Sequence, residues 1–251
     1  MRIIVCIKSI AGSFIKNIGR EVTINPYDLY ALDQARKIKE NTGCEIICIN
    51  MGVANSLIQV EAESYGCDKT IFLSDKKFSQ ADTLATSLTL VEAIRKIGDF
   101  DYIFCGAVSL DGETGQIAPN IASMLGVPFM GNISEVQSEN ECLHLLKRQE
   151  DKTYMYESVR GMVVGFDSLI IGKVLNLFQV KKASKIAMDI WDAQDMHLNA
   201  SDIGEKGSRT KVINVKSLDS ERLRQCKVYN DVDRLVDYIN QNLRIGTLVN
   251  E

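Results

Sequence analysis

Four short apolar runs rich in β-branched residues constrain this chain more than any other feature: RIIVCI (residues 2–7), CEIICINM (44–51), KTIFLS (69–74) and DYIFCG (101–106). Each is too short for a helix and lacks the polar alternation of a half-solvated strand, so each requires cover on both faces, as a buried parallel strand does. Helical patterns fill the intervals. PYDLYALDQARKIKENTG sets Leu29, Leu32, Ala35 and Ile38 at helical spacing and closes at Gly43; ANSLIQVEAESYG and ADTLATSLTLVEAIRKIG follow, the last ending at Gly98. Alternation at this density implies right-handed crossovers and a doubly wound, mainly parallel sheet of the α/β class.

After Gly126 the alternation loosens. CLHLLKRQ, KTYMYESVRGMVVGF and SLIIGKVLNLFQV read as antiparallel or mixed strands that complete the sheet. Beyond Lys181 the chain turns polar with scattered apolar anchors, the pattern of an extended C-terminal arm. NDVDRLVDYINQNLRIGTL then restores a helical stripe through Val232, Leu235, Val236, Ile239 and Leu243, with Asn230 or Asp231 to cap it. The expected division is an α/β domain over residues 1–185 and an arm with its helix over 186–251, the helix docking either on its own domain or on a partner subunit.

Composition excludes several classes. The chain has 251 residues, 45% hydrophobic and 25% charged, which supplies a sizeable core, and its net charge of −4 leaves no basic footprint for nucleic acid. No run of apolar residues is long enough to insert in a membrane. The seven cysteines, Cys6, Cys44, Cys48, Cys67, Cys105, Cys142 and Cys226, lie mostly inside apolar runs without C-x-x-C pairing, the usage of buried thiols in a reducing, cytoplasmic setting. His144 and His197 alone supply neither a zinc site nor Ser/His/Asp catalysis.

An open parallel sheet binds ligands outside the carboxyl ends of its strands, where strand order reverses. The residues that fall there are Cys6, Ile7, Lys8 and Ser9 after the first strand, and Asn25, Pro26, Tyr27 and Asp28 opening the first helix. Met51 and Gly52 follow the second strand. After the fourth comes a long polar loop of Gly106, Ala107, Val108, Ser109, Leu110, Asp111, Gly112, Glu113, Thr114, Gly115 and Gln116. Its glycines permit close backbone approach and positive φ, Ser109 and Thr114 bring hydroxyls, and the following helix presents free N–H groups, so it has the physics of an anion cradle without a phosphate-loop lysine. The alternative is a capped turn, with Asp111 and Glu113 serving a helix that starts at Thr114–Gly115. Asn25-Pro26 likewise reads either as an N-cap with Pro at the first helical position or as an edge facing a base or ribose. Asp82 and Thr83 read as a cap, and KKASK (181–185) as a solvated surface.

Taken together, IIVCIK, TINPYDLYALDQARKIKE, INMG, ESYGCDKTIFLSD, FSQADTLATSLTL, FDYIFCG and LDGETGQIAPNIASMLGVP follow the order and spacing of the small (β) subunit of electron transfer flavoproteins, which this chain resembles over residues 1–128 and more weakly through LNLFQVKKASKIAMDI. The resemblance implies an adenine-nucleotide-binding, Rossmann-like domain, paired with a larger α subunit that carries its own FAD. It also implies an electron carrier, not an enzyme by itself, served by a flavin dehydrogenase such as an acyl-CoA dehydrogenase. It places a nucleotide against Cys6 to Lys8, Asn25 to Asp28, Met51 and Gly52, and the loop from Gly106 to Gln116. The nucleotide is AMP in ordinary members and a second FAD in electron-bifurcating ones; DGETGQ and ADTLAT resemble the bacterial forms, and FAD is the expectation here. Other classes weighed beside it are a structural AMP-binding subunit and a stress-protein-like ATP-binding module. Three departures stand out. SIAGSFIKNIGREVT is short and proline-free, Ala107 and Val108 replace polar residues after the fourth-strand glycine, and the partner-docking segment reads SLIIGKVLN, with Val174 at its leucine position.

Overall fold

The structure is a computed structural model, which describes residues 1–15, 19, 21–139, 142–172, 175–183, 185–211, 213 and 228–242. Val174, Cys226 and Leu243 lie outside the described residues. In chain order the elements are β1 (Arg2–Ile7), β2 (Ser9–Ala11), β3 (Val22–Ile24), α1 (Pro26–Thr42), β4 (Glu45–Met51), α2 (Ser56–Ser64), β5 (Lys69–Leu73), α3 (Thr83–Ile97), β6 (Tyr102–Gly106) and α4 (Ile117–Leu125). There follow β7 (Phe129–Ile133), β8 (Glu135–Glu139), β9 (Cys142–Gln149), β10 (Lys152–Glu157), β11 (Met162–Phe166), α5 (Leu177–Ala183), β12 (Asp189–Trp191), α6 (Gly204–Gly207) and α7 (Val232–Asn242).

Seven strands form one sheet in the order β12-β5-β4-β1-β6-β11-β7, and every pairing in it is parallel. The continuous apolar runs follow from cover on both faces. Along β1, Ile3, Val5 and Ile7 point into one core with Leu29 and Leu32 of α1, Phe72, Phe104 and Phe166. Ile4 and Cys6 point into the other, with Ile49, Ile71, Ile94 of α3 and Ile121 of α4. Fully burying an aromatic or branched side chain of this kind contributes about 1.5–3 kcal/mol, so the two layers hold the sheet and the rim inherits its rigidity. The fold is the doubly wound α/β sheet expected.

Two expectations change after Gly126. CLHLLKRQ and KTYMYE do not extend the main sheet. They form, with β8, a separate antiparallel three-stranded sheet in the order β10-β9-β8, because β9 alternates (Leu143 and Leu145 buried, their neighbours partly exposed) and β10 is exposed along its whole length. Of these quoted segments only MVVGF, buried at every position, enters the main sheet, as β11. SLIIGKVLNLFQV holds no strand among the described residues; its end is α5, started by reciprocal bonds between Asn176 and Gln179.

The chain divides into two compact units, Met1–Lys211 and Val212–Glu251. The first therefore runs past the boundary expected at Lys185, for two local reasons. The strand β12 pairs with β5 at the sheet edge, and Asp82 accepts hydrogen bonds from the N–H groups of Arg209 and Thr210 at 2.7 and 2.9 Å. In the second unit the described helix is α7, capped by Asp231, whose carboxylate accepts from Asp233 N. No helix among the described residues is long and apolar enough to cross a membrane.

Candidate functional site

From β1 the chain builds outward to β4 and β5, then returns to β6 on the other side of β1, so the sheet's strand order reverses between β1 and β6. Here α1 leaves toward one face and α4 toward the other, opening the crevice that such a reversal creates.

Local rules are broken at this point. Asn25 occupies the N-cap of α1 and Pro26 its first position, yet the Asn25 side chain makes no capping bond. Instead Nδ2 donates to the carbonyl of Val108 at 2.9 Å, and Oδ1 accepts from the N–H of Leu110 at 3.2 Å. Asp28, placed where it could serve the helix's positive end, turns away as well. Its carboxylate accepts the N–H of Lys8 at 2.9 Å and that of Gly106 at 3.1 Å, tying the ends of β1 and β6 together. Burial pushes the Asp28 carboxyl up to about 7, against the opposing pull of these hydrogen bonds and of the Lys8 charge. Gly106 is demanded by this contact: a Cβ there would stand 2.7 Å from the Tyr27 carbonyl carbon and collide with Asp28. Leu110 packs on Ile10 and Ile15 beside the β2–β3 ribbon, which anchors the middle of the loop.

The loop after β6 is thus longer than a capped turn. Helix α4 begins at Ile117, with Gln116 as an N-cap that makes no side-chain bond. Asp111 does not cap it. Lys8 Nζ holds that carboxylate at 2.7 Å, and although partial burial pushes its pKa up, the hydrogen bonds from Lys8 and Ser109 carry it below the usual value. An ion pair this exposed contributes less than about 1 kcal/mol. Leaving the buried Asn25 amide unpaired would cost about 1–3 kcal/mol, so the amide clamp, more than the ion pair, fixes the loop. Of the loop glycines only Gly115 has positive φ, at 64°; Glu113 also lies in the left-handed region, at 49°. Ala107 and Val108 are bound through their backbones, Ala107 N to the Phe166 carbonyl at 2.7 Å, while Val108 Cγ1 would lie 3.5 Å from a Cβ on Gly115. The valine side chain therefore lies beside Gly115 within the loop.

The structure brings the sequence-predicted residues onto one rim with an asymmetry. Cys6 and Ile7 are buried, their side chains in opposite cores, so the rim takes only their backbone. Hydrogen bonds tie Lys8, Asn25 and Asp28 to Gly106, Val108, Leu110 and Asp111 of the loop. Met51 ends β4, and Gly52 N binds the Leu73 carbonyl at 3.1 Å. Sequence reasoning passed over Asn50, inside the quoted INMG. It is fully buried, with Nδ2 on the Ile7 carbonyl at 3.1 Å and Ser9 Oγ at 2.9 Å, and its Oδ1 has no partner. A polar residue in the last turns of a strand otherwise apolar was the signal available.

An uncapped helix start, a clamped loop with glycines and hydroxyls, and an orphaned buried acceptor suit an adenine nucleotide with its phosphate on the loop. This is the class that fold and rim define: an α/β protein with a ligand crevice at the switch point of a parallel sheet. The family model for the electron transfer flavoprotein domain matches residues 15–163. The electron transfer flavoprotein subunit beta of Clostridium acetobutylicum is 32% identical over 84% of this chain and 86% of its own length. Protein FixA of Bradyrhizobium diazoefficiens is 32% identical over 84% of this chain and 81% of its own. The caffeyl-CoA reductase-Etf complex subunit CarD of Acetobacterium woodii is 29% identical over 84% and 86%. The chain belongs to the electron transfer flavoprotein family, with the β subunits as its relatives.

Proposed function

We propose that this chain is the small subunit of a two-subunit electron carrier, holding an adenine nucleotide, FAD in preference to AMP, at the carboxyl rim between β1 and β6. The observation that carries the reading is the Asn25–Asp28 clamp, in which two residues of a helix start abandon local capping to fix the loop at residues 106–116. The loop and the α4 start would hold phosphate oxygens. Lys8 would offset their charge, and the ends of β1 and β4 would take the nucleoside. A flavin bound there supplies the redox chemistry itself, and the protein's share is to position it and to set the charge and hydrogen bonds around it. Lys8, paired with Asp111, and the buried, proton-holding Asp28 are the titratable groups placed to do so. The partner is an α subunit carrying a further FAD, with α7 of the second unit docking on that subunit. Electrons would be exchanged with a flavin dehydrogenase, such as an acyl-CoA dehydrogenase, or with a reductase of CoA thioesters. Support for the latter comes from the relative named as a subunit of a caffeyl-CoA reductase complex.

Co-producing the chain with its α partner, denaturing the purified complex and quantifying the released nucleotides tests the reading. Two FAD per heterodimer is the expected result. One FAD with one AMP would make the site structural, and one FAD with no second adenine nucleotide would refute the site.

A further inference from the structure

Asp28 joins the root of the loop at residues 106–116 to the end of β1, and it does so from inside the protein. One carboxylate oxygen accepts from Lys8 N and the other from Gly106 N, with the Asn25 amide as a further donor. The side chain is buried, and Gly106 lies so close to it that no Cβ would fit between them. The first residue of the loop therefore rests directly on a desolvated carboxyl.

Few charges surround that carboxyl. On β1 stands Lys8, whose Nζ is held by Asp111 of the loop, so that its backbone and not its ammonium bonds Asp28. On β6 stands the buried Cys105 thiol. The loop adds Asp111 and Glu113, and β11 (MVVGF) adds no titratable group. Glu61 of α2 accepts from Thr23 Oγ1 and from the N–H of Ile24, just before the clamp. Burial outweighs the hydrogen bonds and the Lys8 charge and pushes the Asp28 carboxyl up to about 7, so it is close to half-protonated at neutral pH. A further anion brought to the loop acts across the same poorly solvated root and favours the neutral form, because like charges oppose each other's ionisation.

We propose, resting on the nucleotide reading above, that occupation of the loop by a phosphate is coupled to proton uptake at Asp28, so that the chain releases its nucleotide more readily as pH rises above neutrality. The coupling acts through charge and requires no contact between Asp28 and the ligand. The occupied site holds the proton more tightly than the empty one, so binding takes up a proton where the empty site is ionised, and affinity falls across that window.

The test titrates the full chain in its two-subunit complex, freed of the nucleotide in this subunit, with AMP at pH 7.5 in buffers of different ionisation enthalpy. For a phosphate that tightens proton binding tenfold, calorimetry should read uptake of about half a proton per site, and AMP binding should weaken about threefold or more between pH 7 and 8.5. Asp28→Asn, neutral at every pH, should abolish the uptake, flatten the pH dependence and bind AMP at pH 8.5 at least as tightly as the wild type. Cys105→Ser should keep the wild-type uptake. Infrared difference spectra of the wild type at pH 8 should show a protonated-carboxyl band appearing with AMP, a readout that needs no variant. AMP binding without proton uptake and without that band would overturn the coupling while leaving the nucleotide site intact. So would uptake that survives in Asp28→Asn, which would assign the proton to the ligand's phosphate, or uptake lost in Cys105→Ser. Failure of the wild type to bind AMP at any pH would remove the nucleotide reading and the coupling with it.

Discussion

Asp28 carries the clearest consequence at the scale of single residues. Its carboxyl is pushed up to about 7 by burial, whereas an unfolded chain titrates it near ~3.9, so the folded state holds the proton more tightly. By linkage, this group's contribution to stability is fully present below about pH 4, falls as pH rises to about 7, and is then constant, a loss of at most about 4 kcal/mol. In Asp28→Asn the titration is gone, while one of the two backbone donors, Lys8 N or Gly106 N, meets an amide nitrogen in place of an oxygen. The wild-type advantage over this variant, measured by urea unfolding from pH 4 to 8, should shrink as pH rises; a constant difference would contradict the assignment. The loop glycines separate in the same way. Gly106→Ala forces a carbon against Tyr27 and Asp28 and should cost about 1–3 kcal/mol along with nucleotide retention. Gly112 is exposed and without positive φ, and a Cβ there meets Ser109 Oγ at 3.3 Å. Gly112→Val should therefore leave the unfolding midpoint nearly unchanged while lowering the nucleotide that copurifies.

Among the elements, strands and helices of the first half were legible because pattern and burial coincide. RIIVCI, EIICINM and YIFCG are covered on both faces, and continuous apolar runs say so. CLHLLKRQ belongs to another sheet because period-two alternation marks a half-covered strand but does not name its neighbours. The edge strand at 189–191 was hidden in a polar stretch, since Asp189 and Ile190 are only partly covered. At the site the rim segments could be collected from topology, whereas the clamp could not. Asn25 and Asp28 look like capping residues in sequence, and only tertiary distance shows their side chains spent on Val108, Leu110, Lys8 and Gly106. Asp82 is the contrasting case, an N-cap that behaves as one, accepting from Ala85 N at 3.0 Å while also holding residues 209–210. Asp82→Ala should cost about 1–2 kcal/mol in chemical denaturation and raise hydrogen exchange across 204–210. A loss confined to α3 would show that the second set of bonds contributes nothing.

For the whole molecule, a rigid two-core sheet carries one rim where three separated stretches, residues 25–28, 50–52 and 106–116, converge. Rigidity and exposure divide the labour: buried strand ends set the positions, and the polar loop is left exposed for contact in the proposed site. The family assignment fits this arrangement, since a carrier that positions a cofactor has need of orientation and of few reactive side chains. The central claim, that this rim is the nucleotide site, is tested most directly by hydrogen exchange on the two-subunit complex with and without bound nucleotide. Protection is predicted in the three stretches together, strongest in 106–116, with β8, β9 and β10 unchanged. Protection absent from the loop, or confined to the antiparallel sheet, would contradict it.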